Sequence, residues 1–345
     1  MTKPSSYIAR NARLLISTCA LAFVPLVCLA WGGVGHRTIN RLAIQNLPAS
    51  LPAFVRSANA RAEIATLGPE EDNLKGAGRS WDDDHDAGHY VDIRDDGTIA
   101  GVVRMNALPR DMSAYARALA AVRKTPYSMG FLPYRIMDGF ERVRKDFAYW
   151  RVFDYQAQNA KTASARAAFA SARNLRQILV LRDIGDWGHF VADGSQPLHV
   201  TVHFNGWGRY PNPQHFTTSH RTHSMFESEF VAAHINASEV QHYIPAFKPE
   251  NPQQVLSQSA IAAKVGRYLS GSASAVPHLY EIEKAGGFRH ATPAAVAFTA
   301  QQLARGASML RDLIALAWAD SLNETVDYPA VKVRSVLNGS VMLRP

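Results

Sequence analysis

The chain has 345 residues, 47% of them hydrophobic and 19% charged, with a formal net charge of +8. Its two cysteines, Cys19 and Cys28, exclude a disulfide-rich scaffold and a cysteine-ligated zinc module. The mild basic excess suits an anionic substrate such as a phosphodiester without specifying one.

Residues 1–30 read as a secretory signal. Lys3, Arg10 and Arg13 form a positive stretch, Leu14 to Leu29 is apolar, and Cys28-Leu29-Ala30 places small residues at −3 and −1 of a cut before Trp31. The apolar run is about 16 residues, short of the roughly 20 that a spanning helix needs. Val27 stands where a lipoprotein signal would have a small residue. Cleavage would remove three basic residues, no acid and both cysteines. The mature chain, 31–345, is then expected to enter an oxidising compartment with neither thiol nor disulfide. No other apolar stretch is long enough to span a bilayer, so a soluble protein, secreted or periplasmic, is expected. Its length allows one large domain or two closely joined ones with ample core.

In chain order, Ile39, Leu42, Ala43 and Leu47 recur at helical spacing, predicting an amphipathic first helix after His36 that ends near Pro48. Residues 66–108 are rich in Gly, Asp and Asn without a sustained period and read as loop. An alanine-rich helix is predicted over Met112 to Val122 and one or two more over 131–158. A long helix is expected from Lys161 to Val191, where Ala and Leu recur at helical spacing and no glycine precedes Gly185. Residues 203–222 mix Gly and Pro with aromatics and read as an irregular loop. Helices resume over 223–235, 252–270 and 292–322, and the valines after Pro329 suggest a short extended segment. No internal repeat, low-complexity tract or linker interrupts the chain. The expectation is an all-α, single helical domain with long loops.

The 13 histidines are unevenly spread. His189 and Asp193 stand four apart, which on a helix puts them on one face with Cβ atoms roughly 5–6 Å apart. Gln196-Pro197-Leu198-His199 follows, so the helix stops at the proline and His199 leaves on a turn. Asp193 has two oxygens and can bridge two metals. His223 and Glu227 repeat the four-residue spacing. One such pair is commonly a surface ion pair; two within about forty residues, each on an apolar helix, point to metal. At the expected mature terminus, Trp31-Gly32-Gly33-Val34-Gly35-His36 offers an α-amine and its carbonyl oxygen as a chelate, with His36 nearby. Asp72 and His89-Tyr90-Val91-Asp92 complete the set.

These motifs, W-G-x-x-G-H, H-Y-V-D, H-x-x-x-D-x-x-Q-P-L-H and H-S-x-x-E in that order, resemble the zinc-dependent phospholipase C and S1/P1 nuclease superfamily, from Trp31 to Glu227. The resemblance implies an all-helical fold with three zinc ions. Asp72, His89, His189 and Asp193 would hold the first; His199, His223 and Glu227 the second; Trp31, His36 and Asp193 the third, with Asp193 bridging the first and third. Asp82, Asp83, Asp84 and Asp86 compete with Asp72 for its place, and Asp-Asn-Leu-Lys favours Asp72. Asp72 would also orient or deprotonate the attacking water. Asp92 is expected to orient a ligand, and the remaining loop histidines His85, His203, His215 and His220 to face solvent or substrate.

The activity implied is hydrolysis of a phosphodiester by a metal-activated water. Glu227 in H-S-M-F-E points to a phospholipase C acting on phospholipid head groups, with transient membrane-surface contact and no obligate protein partner. The opening W-G-x-x-G-H and the long loop from His199 to His223 look more like the nuclease branch, acting on single-stranded nucleic acid or as a 3′-nucleotidase. In that loop Phe204, Trp207, Tyr210 and Phe216, with Arg209 and Arg221, can stack bases or cradle a phosphate, wall a lipid pocket, or pack the loop onto the body. A third reading is a non-catalytic binding protein stapled by zinc, disfavoured because structural zinc sites are normally closed and cysteine-rich.

Overall fold

The computed structural model describes residues 31–75, 86–250 and 258–344. The expected signal at 1–30, with Cys19 and Cys28, lies outside the described residues, as do Asp82, Asp83, Asp84 and His85. The longer helices are α1 (Gly32–Gln45), α2 (Ala58–Leu67), α3 (Met112–Ala120), α4 (Leu132–Asn159), α5 (Ala163–Asp193), α6 (Gln258–Ala273), α7 (Val276–Lys284) and α8 (Pro293–Asp320). Strand is confined, among the described residues, to two antiparallel ribbons: β1 (Thr98–Ile99) with β2 (Val103–Arg104), and β3 (Thr325–Val326) with β4 (Val331–Lys332). The chain is mostly helical, and no described helix is long and apolar enough to cross a membrane.

Helix starts are set by short polar side chains. Thr162 accepts from Ala165 N to open α5, Thr292 from Ala295 N ahead of Pro293 to open α8, and Asp111 from Ala114 N to open α3. The helices pack into two apolar clusters. One gathers Ile136, Phe140 and Phe147 of α4, Ile184, Trp187 and Val191 of α5 and Leu310, Leu313 and Ile314 of α8. The other gathers Trp31, Ile39 and Leu42 with Leu198, Phe226, Phe288 and Leu303. Helices α1 and α5 contribute to both, since Ala43 and Trp187 join the first while Ile39 and Ala192 join the second. Histidines on these two helices therefore lie on the seam between the clusters.

The end of α5 is enclosed on every side: Trp187 to Asp193 are all buried. Close approach of α1 makes this possible. Asn40 on α1 donates through Nδ2 to Ile64 O at 3.0 Å and Gly185 O at 3.1 Å, tying α1 to α2 and α5. A Cβ at Gly188 would stand 2.2 Å from Asn40 Oδ1. Gly188→Ala is thus expected to destabilise by about 2–4 kcal/mol, combining overpacking with a disturbed hydrogen bond. Urea denaturation reads it directly. At an uncrowded helical site the same change stabilises by up to about 1 kcal/mol, so a gain in stability would contradict this packing.

Several elements depart from the sequence reading. Helix α1 starts at Gly32, before His36, because its first turn is buried against Phe226 and Leu303 and tertiary packing overrides the poor propensity of three glycines. The 66–108 region holds the end of α2, short helical turns at Glu70–Asn73, Ala87–His89 and Met105–Ala107, and the β1–β2 ribbon. Helix 223–235 is broken into Thr222–Ser224, a π-helical Met225–Phe230 and Val231–His234. The predicted 252–270 helix is described from Gln258 onward, and Ala237–His242 and α7 were not anticipated. The tail contributes β4 and then a turn of helix, Val333–Leu337, whose Val333 and Val336 pack on Ala148 and Val152 of α4. Valine at three-residue spacing seats a helix as readily as a strand once an apolar face is offered.

Candidate metal centre

The buried end of α5 carries His189 and Asp193, neither exposed to solvent. Pro197 cannot continue the helix, and Gln196 accepts from Leu198 N at 2.7 Å to start the short turn that presents His199. Residues 89–91 lie alongside: Val91 N donates to His199 O at 2.9 Å, bringing His89 beside His189. Asp72 comes from the one-turn helix Glu70–Asn73 and is buried. His36 enters from α1. His223 and Glu227 come from the segment that turns π-helical, a geometry that often marks functional sites.

Three groups of donor atoms result, each with members within 4.8 Å of one another: His36, His189 and Asp193; Asp72, His89 and His189; His199, His223 and Glu227. Asp193 Oδ2 lies 3.0 Å from His89 Nδ1 and 3.4 Å from His189 Nε2. Its other oxygen, Oδ1, lies 3.6 Å from His36 Nε2 and 3.8 Å from His199 Nδ1. Asp72 Oδ1 is 3.6 Å from His189 Nε2 and 3.8 Å from His89 Nδ1. Glu227 Oε2 is 2.7 Å from His223 Nε2 and 3.4 Å from His199 Nε2. Two ligands at about 2.0–2.1 Å on a tetrahedral ion stand roughly 3.3 Å apart, so these separations need only small side-chain movements to close on metal.

Three imidazoles are oriented from behind. His189 Nδ1 faces Gly68 O at 2.7 Å, His199 Nδ1 faces His89 O at 2.7 Å, and His223 Nδ1 faces Phe204 O at 2.9 Å. In each, an N–H on Nδ1 can donate to the carbonyl and Nε2 is turned toward the carboxylates, the arrangement metal-binding histidines adopt once Nε2 gives up its proton. Gln196 Nε2 donates to Glu227 Oε2 at 2.9 Å and fixes that carboxylate.

Burial sets the charge. It pushes His36 and His89 well below the ordinary histidine value, so both are neutral donors. Burial opposes charge on His189 and His199 too, but Asp193 outweighs it and raises both, His199 to about 9. Burial raises Asp72, although His189 and Lys75 pull it back. Asp193 and Glu227 are held low against burial by His189 and His199 and by His223 and His199 respectively, Glu227 at about 2. Without metal, protons on imidazoles would have to balance these acids. Even then His36 Nδ1 and Nε2, His89 Nε2, Asp72 Oδ2, Asp193 Oδ1 and Glu227 Oε1 are buried without a hydrogen-bond partner. Orphaned atoms of this kind cost about 1–3 kcal/mol each. Nitrogen and oxygen donors converging on one buried space fit divalent metal, which would displace the imidazole protons.

The nine residues singled out from the sequence, Trp31, His36, Asp72, His89, His189, Asp193, His199, His223 and Glu227, are all buried, and the side chains of the last eight meet in these groups. The grouping differs from the resemblance. His189, on which His36 stacks with centroids 3.9 Å apart and planes at 7°, belongs to two groups, whereas Asp193 is grouped with His36 and His189 alone, with its Oδ2 3.0 Å from His89 Nδ1. Trp31 contributes no side-chain donor. Its indole Nε1 donates to Ala192 O at 2.9 Å and Ser195 Oγ at 3.1 Å, fixing its backbone beside the end of α5. Asp86 is exposed whereas Asp72 is buried, which separates those two competitors.

One expectation is corrected. His203 does not face solvent: it is 1% exposed, stacks on Trp207, and its ring nitrogens face Trp207 O and Asp95 Oδ1, each at 2.9 Å. Trp207 and Phe216 are buried in the second cluster, packing the loop onto the body, while Phe204 and Tyr210 remain exposed. Burial raises the pKa of Asp92 to about 7, and its backbone N–H donates to Met129 O at 2.9 Å. Two neighbours escaped the sequence reading. Lys75 Nζ sits 2.6 Å from Asp72 Oδ1, with its pKa raised because Asp72 and Asp193 outweigh its burial. Gln196 is the other. Lys75 follows Asp72 by three residues, a spacing visible in the sequence but common on any helix surface. His215 and His220 are exposed, as expected. No family model, no curated protein and no solved structure matches this chain.

Proposed function

We propose that the protein is an exported, zinc-dependent phosphodiester hydrolase, and that it acts as a phospholipase C. The observation that carries this reading is the convergence of five histidines and three carboxylates, His36, His89, His189, His199, His223, Asp72, Asp193 and Glu227, on one buried space with unpartnered donor atoms. The set contains no cysteine, and structural zinc sites are normally cysteine-rich. Zinc held by these residues and by the Trp31 main chain would supply Lewis acidity toward a phosphoryl oxygen and a nucleophilic water at neutral pH.

The chain's own groups have separate tasks. Asp193 spans neighbouring groups with its two oxygens. Asp72, its pKa raised by burial, is the carboxylate suited to take the proton of the attacking water. Lys75 keeps Asp72 in place and offers positive charge next to the developing phosphoryl oxyanion. Gln196 holds Glu227 against His223 and His199. No side-chain nucleophile is required.

Glu227 in H-S-M-F-E favours phospholipid over nucleic acid, because it belongs to the site itself. With Trp207 and Phe216 turned into the core, the loop retains Phe204 and Tyr210 as exposed rings, 51% and 42% accessible. Those two rings are the observation that keeps a single-strand nuclease as the second reading, since exposed aromatics can stack bases. Purified, signal-cleaved protein assayed side by side on phosphatidylcholine vesicles and on single-stranded DNA and RNA decides between them. The expected result is release of phosphocholine, abolished by a chelator and restored by zinc, with about three zinc ions per chain by elemental analysis. Cleavage of nucleic acid alone would select the nuclease. About one zinc per chain and no hydrolysis of either substrate would select a zinc-stapled binding protein.

A further inference from the structure

A second site lies at the far end of α4 and α8. Arg151 is nineteen residues beyond Leu132, where α4 pairs with Tyr90 O near His89, or about 28 Å along the helix axis. Trp318 is twelve residues beyond Gly306, which abuts Ser195 beside Trp31, or about 18 Å along α8. Between Arg151, Trp318, Phe247, Lys248 and Arg334 is a cavity of about 580 Å³.

The charge lining this cavity is unbalanced. Arg151 stacks on the Trp318 ring at 3.2 Å and donates to Ser321 Oγ at 2.7 Å and Trp318 O at 2.9 Å. Arg334 donates through Nε and Nη2 to Asn323 Oδ1 at 3.2 and 2.9 Å. All of these acceptors are neutral, and the Nη1 of each guanidinium has no partner among the described residues. Lys248 likewise forms no ion pair there. Burial, reinforced by the nearby Arg334, pushes Arg151 down to about 10, as expected of like charges without a counter-ion. The two acids of the lining are engaged elsewhere: Asp312 accepts from Arg311 Nε at 2.8 Å, and Glu250 pairs with Lys264.

We propose that this cavity binds a phosphate dianion, either free or carried on a small apolar body. Rigid guanidinium forks match phosphate oxygens in pairs, and an ammonium adds a mobile third charge. The apolar floor of Phe247, Leu316 and Leu322 gives an organic substituent a place to lie, and the volume is that of small-molecule sites. This site is independent of the metal centre and of the activity proposed for it.

The test is calorimetric titration of the zinc-loaded protein with inorganic phosphate, with 1-naphthylmethylphosphonate, whose C–P bond resists hydrolysis, and with 1-naphthol. Each is repeated on Lys248→Ala/Arg334→Gln and on Arg151→Gln/Arg334→Gln, with helicity and zinc content measured for every protein. Because all carry the same metal centre, binding there cancels in the comparison. At least tenfold weaker anion binding is expected in both double variants at unchanged zinc content, with no binding of naphthol. Binding should also fall with added salt. Tighter binding of the phosphonate than of phosphate would identify an organic phosphate as the occupant; equal binding would identify the free anion. Should Arg151→Gln/Arg334→Gln lose helicity, the Lys248→Ala/Arg334→Gln variant decides alone. Equal anion affinity in wild type and a folded double variant, or no binding to wild type beyond that of the metal centre, would overturn the site.

Discussion

Asp193→Asn is expected to remove two metals from the centre and to lower phosphodiester hydrolysis by about 10³-fold or more. The two oxygens of Asp193 do not serve the same partners. Oδ2 is closest to His89 and His189, and Oδ1 to His36 and His199. Asparagine keeps the shape but turns one oxygen into an NH₂ group, which donates where a metal needs a lone pair. It also removes the negative charge that raises His189 and His199. His223→Ala, by contrast, touches one group only, leaving His199 and Glu227, and should release a single metal. Elemental analysis per chain, paired with the rate on the better substrate, distinguishes these outcomes. Full metal content and rate in Asp193→Asn would show that Asp193 bridges nothing.

The centre was legible where local spacing does the work. His189 with Asp193 and His223 with Glu227 stand four apart, and a helical turn brings such pairs together whatever the rest of the chain does. Pro197 announces the turn that presents His199. Even the π-helical segment preserves the contact, with Glu227 Oε2 2.7 Å from His223 Nε2. What local spacing could not supply is the assembly of the pairs. His36 reaches His189 because Asn40 and Gly188 let α1 lie close against α5, and nothing in either segment announces the other. His89 reaches Asp193 through the pairing of residue 91 with residue 199. Those contacts were expected only from the resemblance of the motif order to a family, not from the spacing of any one segment.

The misreadings share a cause. His203 sits with Trp207 and Phe216 in a Gly- and Pro-rich loop whose composition left its packing open. Tyr280 on α7, unforeseen from sequence, donates to His203 O at 2.6 Å and packs its ring against Trp207 and Phe216. Burial of a loop depends on what covers it. The same holds for the tail, where Val331 is extended in β4 as expected but Val333 and Val336 find an apolar seat on α4 and form helix.

A free amine at Trp31 is expected to be as important to activity as any side chain of the centre. Trp31 is fully buried, its indole is held by Ala192 O and Ser195 Oγ, and Ala192 adjoins Asp193. Both Trp31 and Gly32 have left-handed backbone conformations, φ 45° and 52°, which curl the backbone into α1 ahead of His36. An α-amine with pKa near 7.7–8.0 loses its proton to a metal at modest cost. A peptide nitrogen has no lone pair to give. Protein that starts at Met followed by Trp31, with the Met retained, should therefore keep its fold and lack one metal, the one expected to bind at His36 and Asp193. On the proposed activity, losing the metal at this group would remove the activated water that the centre is to supply, so the rate should fall by about 10³-fold. An uncut N-terminal tag should act the same way, whereas a tag after the exposed Arg344 should be harmless. The comparison is between cytoplasmic, Met-retaining protein and exported, signal-cleaved protein, with each N-terminus read by mass spectrometry, metal by elemental analysis and fold by circular dichroism. Equal zinc and equal rate would mean that Trp31 serves only as a buried aromatic pinning α1 to α5, and the His36 group would then have to complete its coordination without the chain terminus.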